Sequence, residues 1–243
     1  MERQIHQNII KCARNLQPYN IDSLQKVCRW TKRDKTAEGN QGQVYQACCD
    51  EDCKFIVKAI DHKGRWTFDD IQAEISMQQK FAKNGLVPPV REAFMCDNWS
   101  YIISDAKVQT LLNILDELAD VPKAGKWDFE KSSFIKSAIT KLLQRAVEVI
   151  EEANAHGLMH DDAHMNNFMV DVAVVDDEES LQKALDTLQL IDFGYSKVLS
   201  DDPEERAQQE NDDMDRLFTS ITEEPWGGKF LPLQHFKTFT PPY

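Results

Sequence analysis

Long apolar runs are missing from this 243-residue chain. No stretch approaches the roughly 18–20 apolar residues of a membrane span, and Met1-Glu-Arg-Gln-Ile-His6 carries no apolar signal core. A secreted or anchored protein is therefore not expected, and the reading is intracellular: cytoplasmic, the nucleus included. Glycine and proline are scarce, nine of each, which excludes a low-complexity or fibrous chain. Positive charge is in deficit, with 28 Lys+Arg against 41 Asp+Glu and a net charge of −13. That balance argues against direct nucleic-acid binding, which rests on cations neutralising phosphates, and against adsorption to anionic membranes. Cysteine is absent after residue 96. Cys48, Cys49 and Cys53 are bunched, but no second pair at zinc spacing follows, so buried or inert reduced thiols are expected and a structural metal is the alternative.

What the chain does have is an apolar content of 42% at a length sufficient for one large domain or two small lobes. Ile5, Ile9, Ile10 and Leu16 are spaced for a short helix in a basic N-terminal stretch. Val44–Cys48 and Phe55–Ile60 flank an acidic turn and predict a β-hairpin. Ile71, Ile75, Met77 and Phe81 have helical spacing, broken by Val87-Pro-Pro-Val90. Phe94 and Trp99–Ile103 predict another strand pair. The next half is richer in helix: Val108–Leu118, then a long helix capped by Ser132 or Ser133 and ended by Gly157. Two strands follow, Phe168–Val175 and Leu188–Phe193, separated by an acidic segment, Asp176–Leu185, with the pattern of a short helix. Asp213–Ile221 also reads as helix, and there is no internal repeat.

Four separated pieces carry chemistry. Gly39 and Gly42, in Ala37-Glu-Gly-Asn-Gln-Gly-Gln-Val44, allow a backbone to approach a phosphate without a Cβ in the way, although two glycines in a turn are most often only a turn. Lys58 stands among Ile56, Val57, Ala59 and Ile60, where an unpaired ammonium is costly to bury; the alternative is an edge strand with its head in water. Glu74 lies on the following helix, as a partner for Lys58 or as a surface carboxylate. Last comes His160-Asp-Asp162-Ala-His-Met-Asn-Asn167, followed by Ile191-Asp192-Phe193-Gly194. Asn167 and Asp192 offer the oxygen ligands that Mg²⁺ prefers, and Asp162 is placed to orient or deprotonate a hydroxyl.

Taken in order, these pieces resemble the protein-kinase-like superfamily over residues 36–221. The resemblance implies an α+β, two-lobed kinase-like fold, with a small antiparallel-sheet lobe over 36–104, a reduced, mostly helical lobe over 105–243, and residues 1–35 as an extension. It implies ATP and Mg²⁺ as cofactors. Gly39 and Gly42 would cover the phosphates, Val44 would also bind the nucleotide, and Lys58 would hold the phosphates, positioned by Glu74. Ser104-Asp-Ala106-Lys would lie against adenine. Asp162 would be the catalytic base, with His160 structural in the same loop, and Asn167 and Asp192 would hold the metal. Asp213 falls where the family places an Asp that braces the catalytic loop.

Departures from the pattern point to an atypical member. Ala37 replaces the first glycine, and His164 stands where protein kinases usually have Lys, as in small-molecule and atypical kinases. Only 20 residues separate Asp192 from Asp213, with no Ala-Pro-Glu, and 30 follow Asp213. That shape most resembles the minimal kinase of the KEOPS complex. The expected function is transfer of the ATP γ-phosphate to a hydroxyl, most simply a protein Ser/Thr, with a small molecule as second choice. A nucleotide-binding scaffold without turnover, or an ATPase, are the alternatives. Residues 171–224 hold 17 Asp+Glu and 4 Lys+Arg, and so account for the whole net charge of −13. A basic acceptor or regulatory partner would be favoured by that field if it is more than a solvated face.

Overall fold

The computed structural model describes residues 16–18, 30–39, 42–49, 52–63, 66–96, 98–120 and 129–223. It divides into two compact units, one comprising residues up to Lys107 together with Asp192–Ser196, the other Val108–Ile191 together with residues from Lys197 onward. The first is built on a six-stranded antiparallel sheet: β1 (Leu16–Pro18), β2 (Trp30–Gly39), β3 (Gly42–Cys49), β4 (Asp52–Asp61), β5 (Val90–Cys96) and β6 (Trp99–Asp105), ordered β1-β5-β6-β4-β3-β2. The expected hairpin is β3–β4, in register from Gln43↔Ala59 to Cys49↔Asp52.

Strand alternation sends successive side chains to opposite faces. On β4, Phe55 and Val57 join Ala47, Phe94, Cys96 and Ile103 in one cluster. Ile60 joins the opposite cluster, with Ile102, Val90 and Ala93 of the sheet and Ile71 and Ile75 of helix α1 (Phe68–Ala82). Lys58, two residues before Ile60, shares this second face by the same alternation. Thr67 caps α1, its hydroxyl accepting from the Asp70 N–H while the Asp70 carboxylate accepts from the Thr67 N–H, a reciprocal capping box. Ile71, Glu74 and Ile75 then fall on one buried face at i, i+3 and i+4.

Two expectations in this unit are corrected. Leu16 belongs to a strand rather than a helix, pairing with Cys96 of β5; Ile5, Ile9 and Ile10 lie outside the described residues. The four described cysteines are not reduced thiols: Cys48 and Cys53 form a disulfide across the β3–β4 turn, and Cys49 and Cys96 are disulfide-bonded as well. Among the described residues no cluster of three or more His, Cys, Asp or Glu side chains is arranged to hold a metal.

The second unit centres on α3 (Phe129–Ala155), whose Leu142, Leu143, Ala146, Val149, Ile150 and Ala153 are buried. It packs on α2 (Leu111–Asp120), α4 (Glu178–Thr187) and α5 (Pro203–Glu223). Gly157, at φ 76°, takes the left-handed turn that ends α3 and leads into β8 (Leu158–Met159). β7 (Gln109–Thr110), β9 (Phe168–Val170) and β10 (Gln189–Leu190) form a small sheet ordered β10-β9-β7, and β11 (Lys197–Val198) pairs with β8. The acidic segment expected to be helical is α4, capped by Asp177. The strands are shorter than their apolar runs suggest, and α5 begins ten residues before the expected Asp213, through a stretch with no apolar periodicity. No described helix is long and apolar enough to cross a membrane.

The α1 cap should be measurable. Thr67→Ala removes one half of the capping box and is expected to lower unfolding free energy by about 1 kcal/mol in urea titration.

Candidate active site

In the first unit, the site is organised by one ammonium. Lys58 Nζ donates to Glu74 Oε1 and to Asp192 Oδ1, each at 2.7 Å, with the Lys58 side chain 15% and that of Glu74 5% exposed. Burial alone would lower the Lys58 pKa, but the two carboxylates outweigh it and hold the ammonium above its ordinary value. Burial pushes the Glu74 carboxyl upward against the pull of Lys58. The 2.7 Å contact is that of a charge-assisted hydrogen bond, and with a second carboxylate on the same ammonium we read the cluster as ionised. Asp192 has φ 63°, a left-handed conformation that turns the chain sharply at the Asp-Phe-Gly segment. Phe193 is buried against Phe81 of α1, ring centroids 5.0 Å apart, and Tyr195 meets Trp66 edge-on at 6.0 Å. The helix carrying Glu74 and the segment carrying Asp192 are thus held together by aromatic packing as well as charge.

Gly39 and Gly42 face each other as register partners at the β2–β3 turn. A Cβ on Gly42 would collide with the Ala59 carbonyl oxygen, so glycine here is required by the close approach of β4. Val44 sits opposite Lys58 in the β3–β4 register. Ser104 is buried near the end of β6, and the Ala106 N–H donates to the Lys54 carbonyl at 2.9 Å, fixing the start of the expected hinge.

The second unit holds the other half of the set. His160 is fully buried; its Nε2 donates to the Ile191 carbonyl at 2.9 Å, which assigns the ring proton to Nε2. The backbone N–H groups of His160 and Asp161 both donate to the Asp213 carboxylate, each at 2.7 Å. Burial pushes Asp213 up while these two amides pull it down. Asn167, at the end of the 3-10 turn Met165–Asn167, donates its amide nitrogen to the Asp162 carbonyl at 2.9 Å and to Asp162 Oδ2 at 3.2 Å. His164 Nε2 lies 3.6 Å from the same carboxylate oxygen. Burial alone would raise Asp162, yet His164, His160 and Asn167 hold it below the ordinary carboxylate value, so it stays ionised at neutral pH.

The expected site residues thus come together in two groups: Lys58, Glu74 and Asp192 in one unit, His160, Asp162, Asn167 and Asp213 in the other. A family model described as the protein kinase domain matches residues 30–216. The chain belongs to the protein kinase domain family. No curated protein matches it. The family carries with it a kinase fold, phosphotransfer and the use of ATP. Sequence reasoning missed Asp161, whose carboxylate meets Lys197 and Arg216; no local pattern signals these pairs, because the cations lie 36 and 55 residues downstream.

Two substitutions test the electrostatics. Lys58→Met keeps most of the apolar stem but strands two carboxylates, and a loss of about 3–5 kcal/mol is expected between pH 7 and 9. Because the folded-state Lys58 pKa is raised, its contribution is complete below 10.5 and disappears as pH rises through the folded value. Urea titrations of both proteins should therefore converge only at more alkaline pH. Asp213→Asn places an amide donor against one of two N–H donors and should cost about 2–3 kcal/mol by the same method.

Proposed function

We propose that the protein transfers the γ-phosphate of ATP, with Mg²⁺, to a Ser or Thr hydroxyl of a protein, using a reduced, atypical kinase machinery. The observation that carries this reading is that both halves of the chemistry are intact: the Lys58–Glu74–Asp192 ion cluster and the Asp213-braced loop bearing an ionised Asp162.

The residues present fit the cofactors. Asn167 uses its amide nitrogen on Asp162, which leaves its other polar atom, a carbonyl oxygen, as a hard donor; Asp192 keeps a carboxylate that is 38% exposed. These two would hold the metal, which when bound neutralises phosphate charge. Lys58 would bind phosphate oxygens without releasing Glu74, since an ammonium has three donors. Gly39 and Gly42 would let the β2–β3 turn lie over the phosphates. Asp162 would accept the hydroxyl's hydrogen bond and aim its oxygen; with a lowered pKa it is a weak base but a reliable acceptor, which suits a loose transition state where the proton leaves late. His164 would add a donor near that carboxylate in the position ordinarily held by Lys.

The acceptor is best sought among basic proteins. The acidic residues of 171–224 include exposed carboxylates along α4 and the first turns of α5, and their field favours a cationic substrate or partner. The cysteines bear on the compartment. A disulfide across the β3–β4 turn, with Cys49 and Cys96 also bonded, favours an oxidising compartment over the cytoplasm.

Incubation with radiolabelled ATP, Mg²⁺ and a panel of basic and acidic proteins should give labelled Ser or Thr on basic acceptors. Asp162→Ala and Lys58→Ala should each lower the rate by about 10²–10⁴-fold. Absence of any transfer by the wild type, or full activity in Asp162→Ala, would refute the proposal.

A further inference from the structure

Three carboxylates come together at the catalytic loop: Asp161 and Asp162 of the loop and Asp213 of α5, which accepts from the His160 and Asp161 N–H groups. Asp161 is the one the phosphotransfer reading leaves without a task. Its backbone sits at φ 59°, a conformation L residues rarely adopt and that Asp tolerates better than most. Its N–H is taken by Asp213. Its side chain is 20% exposed and meets two cations, Lys197 Nζ at 3.0 Å on Oδ2 and Arg216 Nη2 at 2.6 Å on Oδ1.

Those cations come from two different elements. Lys197 lies on β11, just past the Asp-Phe-Gly segment, opposite Met159 of β8. The strand is continued by a hydrogen bond from the Leu199 N–H to the Gly157 carbonyl at 3.0 Å. Arg216 lies on α5, three residues beyond Asp213. One carboxylate therefore ties the loop, the returning strand and the helix together. A single exposed ion pair is worth little, but here two cations converge on a carboxylate that is mostly withdrawn from solvent and close enough to Asp213 to repel it. Segments in this position of a kinase are commonly ordered by an added phosphate that recruits cations. In this chain a built-in carboxylate already holds them.

We propose that Asp161 is a positioning residue that pins the segment 197–199 to the catalytic loop through Lys197 and Arg216, so that transfer needs no phosphorylation of that segment. The proposal rests on the phosphotransfer reading for its effect on rate, but not for the clamp itself, and the experiment separates the two. Asp161→Asn, Lys197→Met and the double variant are compared with wild type by steady-state kinetics and by hydrogen exchange of the Val198–Leu199 amides. Lys197 is half-exposed, so its variant should fold even if Asp161→Asn does not.

Each single variant should exchange these amides several-fold faster and lower kcat by about tenfold, with KM for ATP nearly unchanged. The double variant should be no worse than the more affected single, the signature of a shared interaction. Phosphatase-treated wild type should keep its full rate. Unchanged exchange in both single variants, multiplying effects on kcat, or loss of activity on phosphatase treatment would each overturn the proposal. Faster exchange in a protein whose wild type transfers no phosphate would uphold the clamp and defeat the reading of function instead.

Discussion

A buried ammonium must be answered by charge, and much of the first unit follows from how Lys58 is answered. Its place on β4 is set by strand alternation, which turns it toward the face that packs on α1. Glu74 reaches it because α1 presents Ile71, Glu74 and Ile75 along one stripe, so that the carboxylate enters with the apolar anchors. Asp192 completes the cluster from a distant part of the chain, held by a left-handed turn and by Phe193 against Phe81. Remove the ammonium and the buried Glu74 carboxylate loses its cation while Asp192, partly exposed, stays beside it.

The second unit solves a similar problem with opposite signs. Its loop and α5 bring three carboxylates close together, and each has its own source of compensation. Backbone amides serve Asp213, the cations of β11 and α5 serve Asp161, and His164 with Asn167 serves Asp162. This division leaves Asp162 ionised while its neighbours absorb the structural load. The local excess of negative charge that stands out in residues 171–224 is largely exposed along α4 and the first turns of α5, while Asp213 of α5 is buried against the loop amides.

Much of this was legible in the sequence where chemistry and periodicity agreed. Lys58 in an apolar strand and Glu74 on the following helix read as a candidate pair, although each by itself also reads as a surface residue; the structure buries Glu74 and pairs the two. The His160–Asn167 loop and Asp192 were identifiable because several short strings occur in one order. What escaped was long-range. The six cysteines gave no pairing by spacing, since the Cys48–Cys53 bond depends on how tightly the β3–β4 turn closes. Leu16 was assigned to helix because three residues cannot display a period of two. The first half of α5 has no apolar stripe to announce it, and Asp161 finds its cations only after the chain has returned.

The account stands or falls on whether the two groups of residues serve one nucleotide. A crystal structure with a non-hydrolysable ATP analogue and Mg²⁺ tests this most directly. The account predicts Lys58 on the phosphates with its Glu74 contact retained, the β2–β3 turn over them, and metal held by Asn167 and Asp192. An analogue bound away from Lys58, or a nucleotide pocket filled by the protein's own side chains at saturating analogue, would contradict it.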